Sequence, residues 1–202
     1  MYVPSHFVMP PERARQVLES VNTADLVGTG PDGLVATFLP LLYDAGGGPH
    51  GRLLGHVARN NPQWEATGDV LAILRGPDAY ISPGFYASKP EHGRVVPTWN
   101  YETVHVYGRL VAHDDVEWLR GIVTRLTERH EASRADPWSV TDAPPAFIDG
   151  QLRAIVGLEL VIFRVEAKSK LSQNRTEADQ AGVVAGLGPA DPIARKIADR
   201  LP

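Results

Sequence analysis

The chain has 202 residues, 43% of them hydrophobic, enough for one sizeable core or one core with a small appendage. Its formal net charge of -4, from 20 basic and 24 acidic residues with no long Lys/Arg run, excludes a global pull towards nucleic acid or an anionic membrane. The absence of cysteine excludes disulfides, thiolate metal sites and cysteine nucleophiles, and fits a reducing compartment.

The first residues, "MYVPSHFVMPP", have neither a charged n-region nor an apolar h-region, so no signal peptide is expected. Pro10 and Pro11 open "PPERARQVLESV", where Ala14, Val17, Leu18 and Val21 form the apolar stripe of a short helix. The runs "ADLVGTG", "LVATFLPLLYD" and "RLLGHVA" are separated by "PDG" and "AGGGPHG", the pattern of strands joined by hairpin turns. The apolar run 34–43 is too short and too interrupted to span a bilayer. In "NNPQWEA", Asn61 before Pro62 predicts a capped helical turn. "DVLAILRG" and "DAYIS" are expected as two strands broken at Gly76-Pro77-Asp78, followed by a Gly- and Pro-rich loop over 83–97.

From Thr103 the sequence alternates. Val104, Val106 and Leu110 fall on one face of a strand, and Thr103, His105, Tyr107 and Arg109 on the other, with Trp99, Asn100 and Tyr101 crowding its start. A face meant only for water would carry Lys, Glu and Ser, so this one is expected to meet a partner subunit or a flat ligand. "DDVEWLRGIVTRLTERHEAS" predicts a helix with Val116, Leu119, Ile122, Val123 and Leu126 as its stripe and Asp114 and Asp115 at its start. A helical segment around "PPAFIDGQLRAI", a long strand over 155–170 and two short tail helices complete the chain. Mostly antiparallel strands with helices at the margins point to a closed or nearly closed barrel rather than a βαβ sheet.

"GTGPDG" (28–33) matches the dinucleotide fingerprint in letters only. That motif needs a helix after it, and "LVATFLPLL" reads as strand, so a turn is expected. The seven histidines show no metal-ligand spacing, and neither a nucleophile elbow nor a phosphate-binding P-loop is present.

Three constellations carry chemistry. In "GHVARNNPQW", His56 lies on a strand, Arg59 at its end, and Asn60 and Asn61 before a helical turn. A guanidinium beside free backbone N–H groups suits a phosphate monoester, and the same spacing equally suits a strand-to-helix cap with a solvated Arg. The second is Thr98, Trp99, Asn100, Tyr101 and His105, which suits a subunit interface as well as a ligand. The third, "KSKLSQNR" (168–175), is polar and basic at the end of the last strand, and is also what a strand leaving a sheet into solvent looks like.

Taken in order, "MYVPSHF", "HVARNNPQW", "YISPGFYASK", "VPTWNYETVHVYG", "PWSVTDAP", "AIVGLELVI" and "KSKLSQNR" resemble the PaiB-type family of FMN-binding negative transcriptional regulators, from Met1 to about Leu187. The resemblance implies a mainly β FMN-binding split barrel over 1–187, with 188–202 as a helical extension, in a homodimer holding FMN at the subunit interface; a cytoplasmic location is expected from the composition and the lack of a signal peptide or membrane span. The resemblance also implies His56, Arg59 and Asn60 at the flavin phosphate, and Thr98, Trp99 and Asn100, with His105 beside them, at the ring and ribityl chain. Lys170, Ser172, Gln173 and Arg175 would close the pocket.

Two functions follow as expectations. One is a negative regulator in which FMN is structural or sensory, with direct DNA binding not expected, since no basic recognition helix is evident. The other is an FMN-dependent oxidoreductase of flavin-reductase or pyridoxamine-phosphate-oxidase type, for which no residue identifies a substrate.

Overall fold

The computed structural model describes residues 1–201. In chain order the elements are α1 (Pro11–Glu19), β1 (Thr23–Gly30), β2 (Gly33–Pro40), β3 (Leu42–Asp44), β4 (Arg52–Ala58), β5 (Thr67–Ile81), α2 (Lys89–His92), β6 (Thr98–His113), α3 (Val116–Glu131), α4 (Pro145–Arg153), β7 (Ile155–Lys170), α5 (Glu177–Leu187) and α6 (Pro192–Ala198), with short 3-10 turns between them. The strands form one seven-stranded antiparallel sheet in the order β2-β1-β5-β6-β7-β4-β3.

Local chemistry explains most of these elements. Gly30 pairs with Gly33 across the β1–β2 hairpin, and Gly33 takes a φ of 110°, so "GTGPDG" is a tight turn and not a phosphate loop. Asp115 caps α3 by accepting from the Trp118 N–H at 2.8 Å. Val104 and Val106 are fully buried, as the alternation of β6 requires.

Two expectations change. The segments 69–76 and 78–82 do not form separate strands: β5 runs unbroken from Thr67 to Ile81. Gly76 and Pro77 read as a turn, but proline's φ is compatible with extended chain, and Gly76 is where β6 comes close. A Cβ there would lie 2.9 Å from Glu102 Cβ. Val116 leaves the predicted stripe of α3, being 40% exposed, because it sits in the first turn directly after the cap, whereas Leu119, Ile122 and Leu126 are buried.

Two compact units divide the chain. The first comprises Met1–Ala14, Arg75–Val104 and Glu166–Pro202. Its core gathers Ala79 and Ile81 of β5, Tyr86, Leu171, Val183 of α5, and Ile193 and Ile197 of α6. The second comprises Arg15–Leu74 and His105–Val165. There α3 packs Ile122 and Leu126 against Leu42 and Leu54, and Leu119 against Val140, Ile148 and Leu152. Each buried Leu or Ile contributes about 1.5–3 kcal/mol, so both units hold real cores.

Candidate functional site

In the first unit the segments "VPTWNY" and "KLSQNR", about seventy residues apart in sequence, come together. β6 begins at Thr98 and β7 ends at Lys170, so both strand ends deliver side chains to one place. The Lys170 ammonium donates to Thr98 Oγ1 at 2.5 Å and to the Trp99 carbonyl at 2.7 Å, leaving a third N–H for another acceptor. Burial pushes the Lys170 pKa down, helped by the nearby Lys168 and Arg175 charges and opposed by Tyr101.

Beside it, Asn100 Nδ2 donates to Ser172 Oγ at 2.9 Å, with both side chains buried. The Asn100 Oδ1 atom is buried and has no hydrogen-bond partner among the described residues. Such an atom is costly unless something satisfies it. Ser172 is the one non-glycine residue with positive φ among the described residues, at 62°. Gln173 holds that conformation from the next position: its Oε1 accepts from the Leu171 N–H at 2.6 Å and its Nε2 donates to the Ser169 carbonyl at 2.5 Å. The amide of Gln173 is therefore a clasp for the loop. Arg175 stacks its guanidinium over Tyr86 at 4.7 Å. Trp99, 53% exposed, meets Tyr80 edge to face at 6.1 Å and presents an open aromatic surface.

The second unit holds His56, Arg59, Asn60 and His105. His56 Nδ1 is buried without a hydrogen-bond partner among the described residues, and burial pushes the ring's pKa down. The Arg59 guanidinium is paired with Asp114 and donates to the Arg153 carbonyl at 2.8 Å and the Ile155 carbonyl at 3.0 Å, closing the end of α4. That pairing raises the Arg59 pKa and lowers that of Asp114. Asn60 is exposed, and the cap is its neighbour Asn61, which accepts from the Gln63 N–H at 2.9 Å over a four-residue 3-10 turn. His105 is half-buried and faces Tyr107 at 6.5 Å.

Sequence reasoning misses two polar residues. Gln63 is fully buried with both side-chain polar atoms unpartnered among the described residues, and no pattern in "NNPQWEA" marks it. Glu102 was findable. It occupies an inward position of β6, between Asn100 and Val104, where an acid must have a buried partner. It has several: Ser169 Oγ donates at 3.0 Å and Lys196 Nζ lies at 2.7 Å.

Comparisons with known proteins show the family and the fold. A family profile described as "Putative FMN-binding domain" matches residues 1–164. A Bacillus subtilis (strain 168) protein named "Protease synthase and sporulation protein PAI 2" is 34% identical over 204 residues, covering 98% of this chain and 95% of its own. An uncharacterized protein of Emericella nidulans is 31% identical over 186 residues, 75% of this chain and 74% of its own. Among solved structures, the FAD and heme binding protein from Mycobacterium smegmatis superposes with a TM-score of 0.58 at 17% identity, covering 88% of this chain and 78% of that one. A flavocytochrome from Azotobacter vinelandii gives 0.54 at 17% identity, over 85% and 73%. At such identities the likeness shows the fold, a mainly β split barrel with flanking helices. No helix among the described residues is long and apolar enough to cross a membrane.

Proposed function

The chain belongs to the FMN-binding domain family, and we propose that it works as a PaiB-type flavoprotein, a cytoplasmic homodimer with FMN at the subunit interface that lowers transcription of particular genes. The flavin-binding domain spans 1–187, with 188–202 as its helical extension. The observation that carries the reading is the meeting of Thr98, Trp99 and Asn100 with Lys170 and Ser172.

These residues suit a flavin. An isoalloxazine ring system needs a flat apolar contact and donors for its carbonyl oxygens. Trp99 supplies the first and the remaining Lys170 N–H the second, while Asn100, on the buried face of β6, ties the strand to Ser172. Ser172 and Gln173 fix the loop next to Lys170, and Arg175 adds positive charge. In the second unit, His56, Arg59 and Asn60 are the candidate phosphate contacts, with His105 on the ring-rich face of β6; a phosphate at Arg59 replaces Asp114 as its partner. FMN supplies hydride or single-electron transfer when bound, while the protein supplies position and electrostatics.

The dimer reading is supported by an apolar sheet face in the second unit. Leu34 and Phe38 of β2 are 84% and 69% exposed, and they pair in register with Thr29 and Asp25 of β1 around Val27. With 24 acidic against 20 basic residues, regulation by this chain runs through its flavin state or a protein partner and not through tight DNA binding by the chain itself.

The visible spectrum of the full-length protein tests the flavin directly, and titrations of FMN and riboflavin into wild type and Arg59→Ala test the phosphate contact. Wild type prefers FMN, and Arg59→Ala loses about 10- to 150-fold of that preference, the worth of one charge-assisted contact. Equal affinity for FMN and riboflavin removes the phosphate assignment. Adding NADH or NADPH separates regulator from oxidoreductase: rapid bleaching of the flavin bands favours the enzyme.

A further inference from the structure

We propose a second ligand site in the first unit: a cleft of about 490 Å³ that binds a small monoanionic carboxylate with a compact apolar body. Its floor is Glu102, only 7% exposed. That carboxylate is already satisfied, since Oε1 accepts from Ser169 Oγ at 3.0 Å while Oε2 faces Lys196 at 2.7 Å and Arg13 at 3.6 Å. Glu102 therefore does not select a cation. It holds the Lys196 ammonium, with two further N–H donors, at the cleft.

The charge count decides the ligand. Arg13, Lys196 and Arg200 line the cleft against Glu102 and Asp199, an excess of one positive charge. In a partly enclosed site such an excess is less screened than on an open surface and attracts a single negative charge. Val8, Met9 and Leu171 supply apolar wall for the rest of the molecule.

The cleft shares a loop with the flavin residues. Ser169, Leu171 and Gln173 line it, whereas Lys170 and Ser172, between them in sequence, reach Thr98, Trp99 and Asn100. A bound carboxylate that draws Lys196 or Gln173 changes how that loop is held, which makes the cleft an effector site for the flavin. This coupling rests on the flavin reading above; the binding itself does not.

Calorimetric titration of the full-length protein with benzoate, its neutral analogue benzamide and inorganic phosphate tests the binding, and the flavin absorbance of the same samples tests the coupling. The expected result is one benzoate per chain, bound at least about tenfold tighter than benzamide, with a shift in the flavin bands. Arg200→Glu, or Arg13→Gln as an independent variant, weakens benzoate by about tenfold. Arg195→Glu leaves it within about twofold, because that side chain turns away to donate to the Pro189 carbonyl. Benzoate bound no tighter than benzamide, phosphate preferred over benzoate, or no effect of either cleft variant overturns the site. Benzoate binding as described in a chain that takes up no FMN supports the cleft and removes the flavin reading instead.

Discussion

Asn100 and Ser172 lie 72 positions apart in sequence and share a 2.9 Å hydrogen bond inside the protein, from Nδ2 to Oγ. Ser172 makes it from a left-handed backbone conformation, at a φ of 62°. Two substitutions separate the strain from the bond. Ser172→Ala keeps the unfavourable φ and loses the hydroxyl, so it destabilises by about 1–2 kcal/mol. Ser172→Gly also loses the hydroxyl but removes a strain of about 1 kcal/mol, so its stability stays closer to wild type. Both lower FMN affinity. Denaturant melts paired with FMN titration check this, and equal stability of the two variants contradicts the strain argument.

Gln173 is predicted to act through the loop it clasps. Gln173→Glu retains the acceptor for the Leu171 N–H but loses the donor to the Ser169 carbonyl and brings two acceptors together. FMN affinity falls, and amide hydrogen exchange in 169–173 rises, with about 1–2 kcal/mol of stability lost. Unchanged exchange there shows that the clasp is not what holds the loop.

Gly182 and Gly186 of α5 invert the usual helix preference. Alanine is normally the better helix former by about 1 kcal/mol. Here a Cβ at Gly182 would meet the Phe85 carbonyl oxygen at 2.1 Å, and one at Gly186 would meet the Phe85 ring at 2.2 Å. Gly182→Ala is therefore expected to destabilise by about 1–3 kcal/mol, with Gly186→Ala milder because a side chain yields more readily than backbone. Thermal melts decide it, and a rise in Tm for Gly182→Ala contradicts the packing.

Acid sensitivity is expected from the second unit. Glu159 is pushed up by burial, but the hydrogen bonds from Arg52 at 2.9 Å and with His113 at 2.8 Å outweigh that and hold its pKa below the ordinary 4.5. Asp44 is held low chiefly by the Gly46 N–H, with Arg52 adding to it. A depressed carboxylate contributes stability that is complete above its unfolded pKa and lost as pH falls through the folded value. Glu159→Gln is thus less stable than wild type at neutral pH by about 1–2 kcal/mol, and the gap closes on going below the ordinary carboxylate range. Urea unfolding followed by Trp fluorescence across pH tests this; a gap that widens in acid contradicts it.

Much of this architecture is legible in the sequence because it depends on local periodicity. The strand Ile155–Lys170, the helix after Asp115 and the hairpin at Gly30–Gly33 follow from alternation, capping and turn chemistry. What escapes is set by tertiary approach. Gly76-Pro77 reads as a turn because nothing local announces that β6 passes against Gly76. The partnership of Arg59 with Asp114, 55 positions away, cannot be seen from "VARNNP". The motifs "VPTWNY" and "KLSQNR" are each visible, but their meeting is a property of the fold, and so is the positive φ of Ser172, a residue type that rarely adopts it.

The most direct measurement is an FMN titration of flavin-stripped, full-length wild type and Lys170→Met. Lys170 is the side chain that ties Thr98 and Trp99 to the end of β7 and still has a proton to donate. The expected result is saturable binding of one FMN per chain by wild type, weakened about 10- to 150-fold in Lys170→Met, with the circular dichroism of the fold unchanged. Wild type that binds no FMN, or a Lys170→Met variant that binds it as well as wild type, contradicts the assignment.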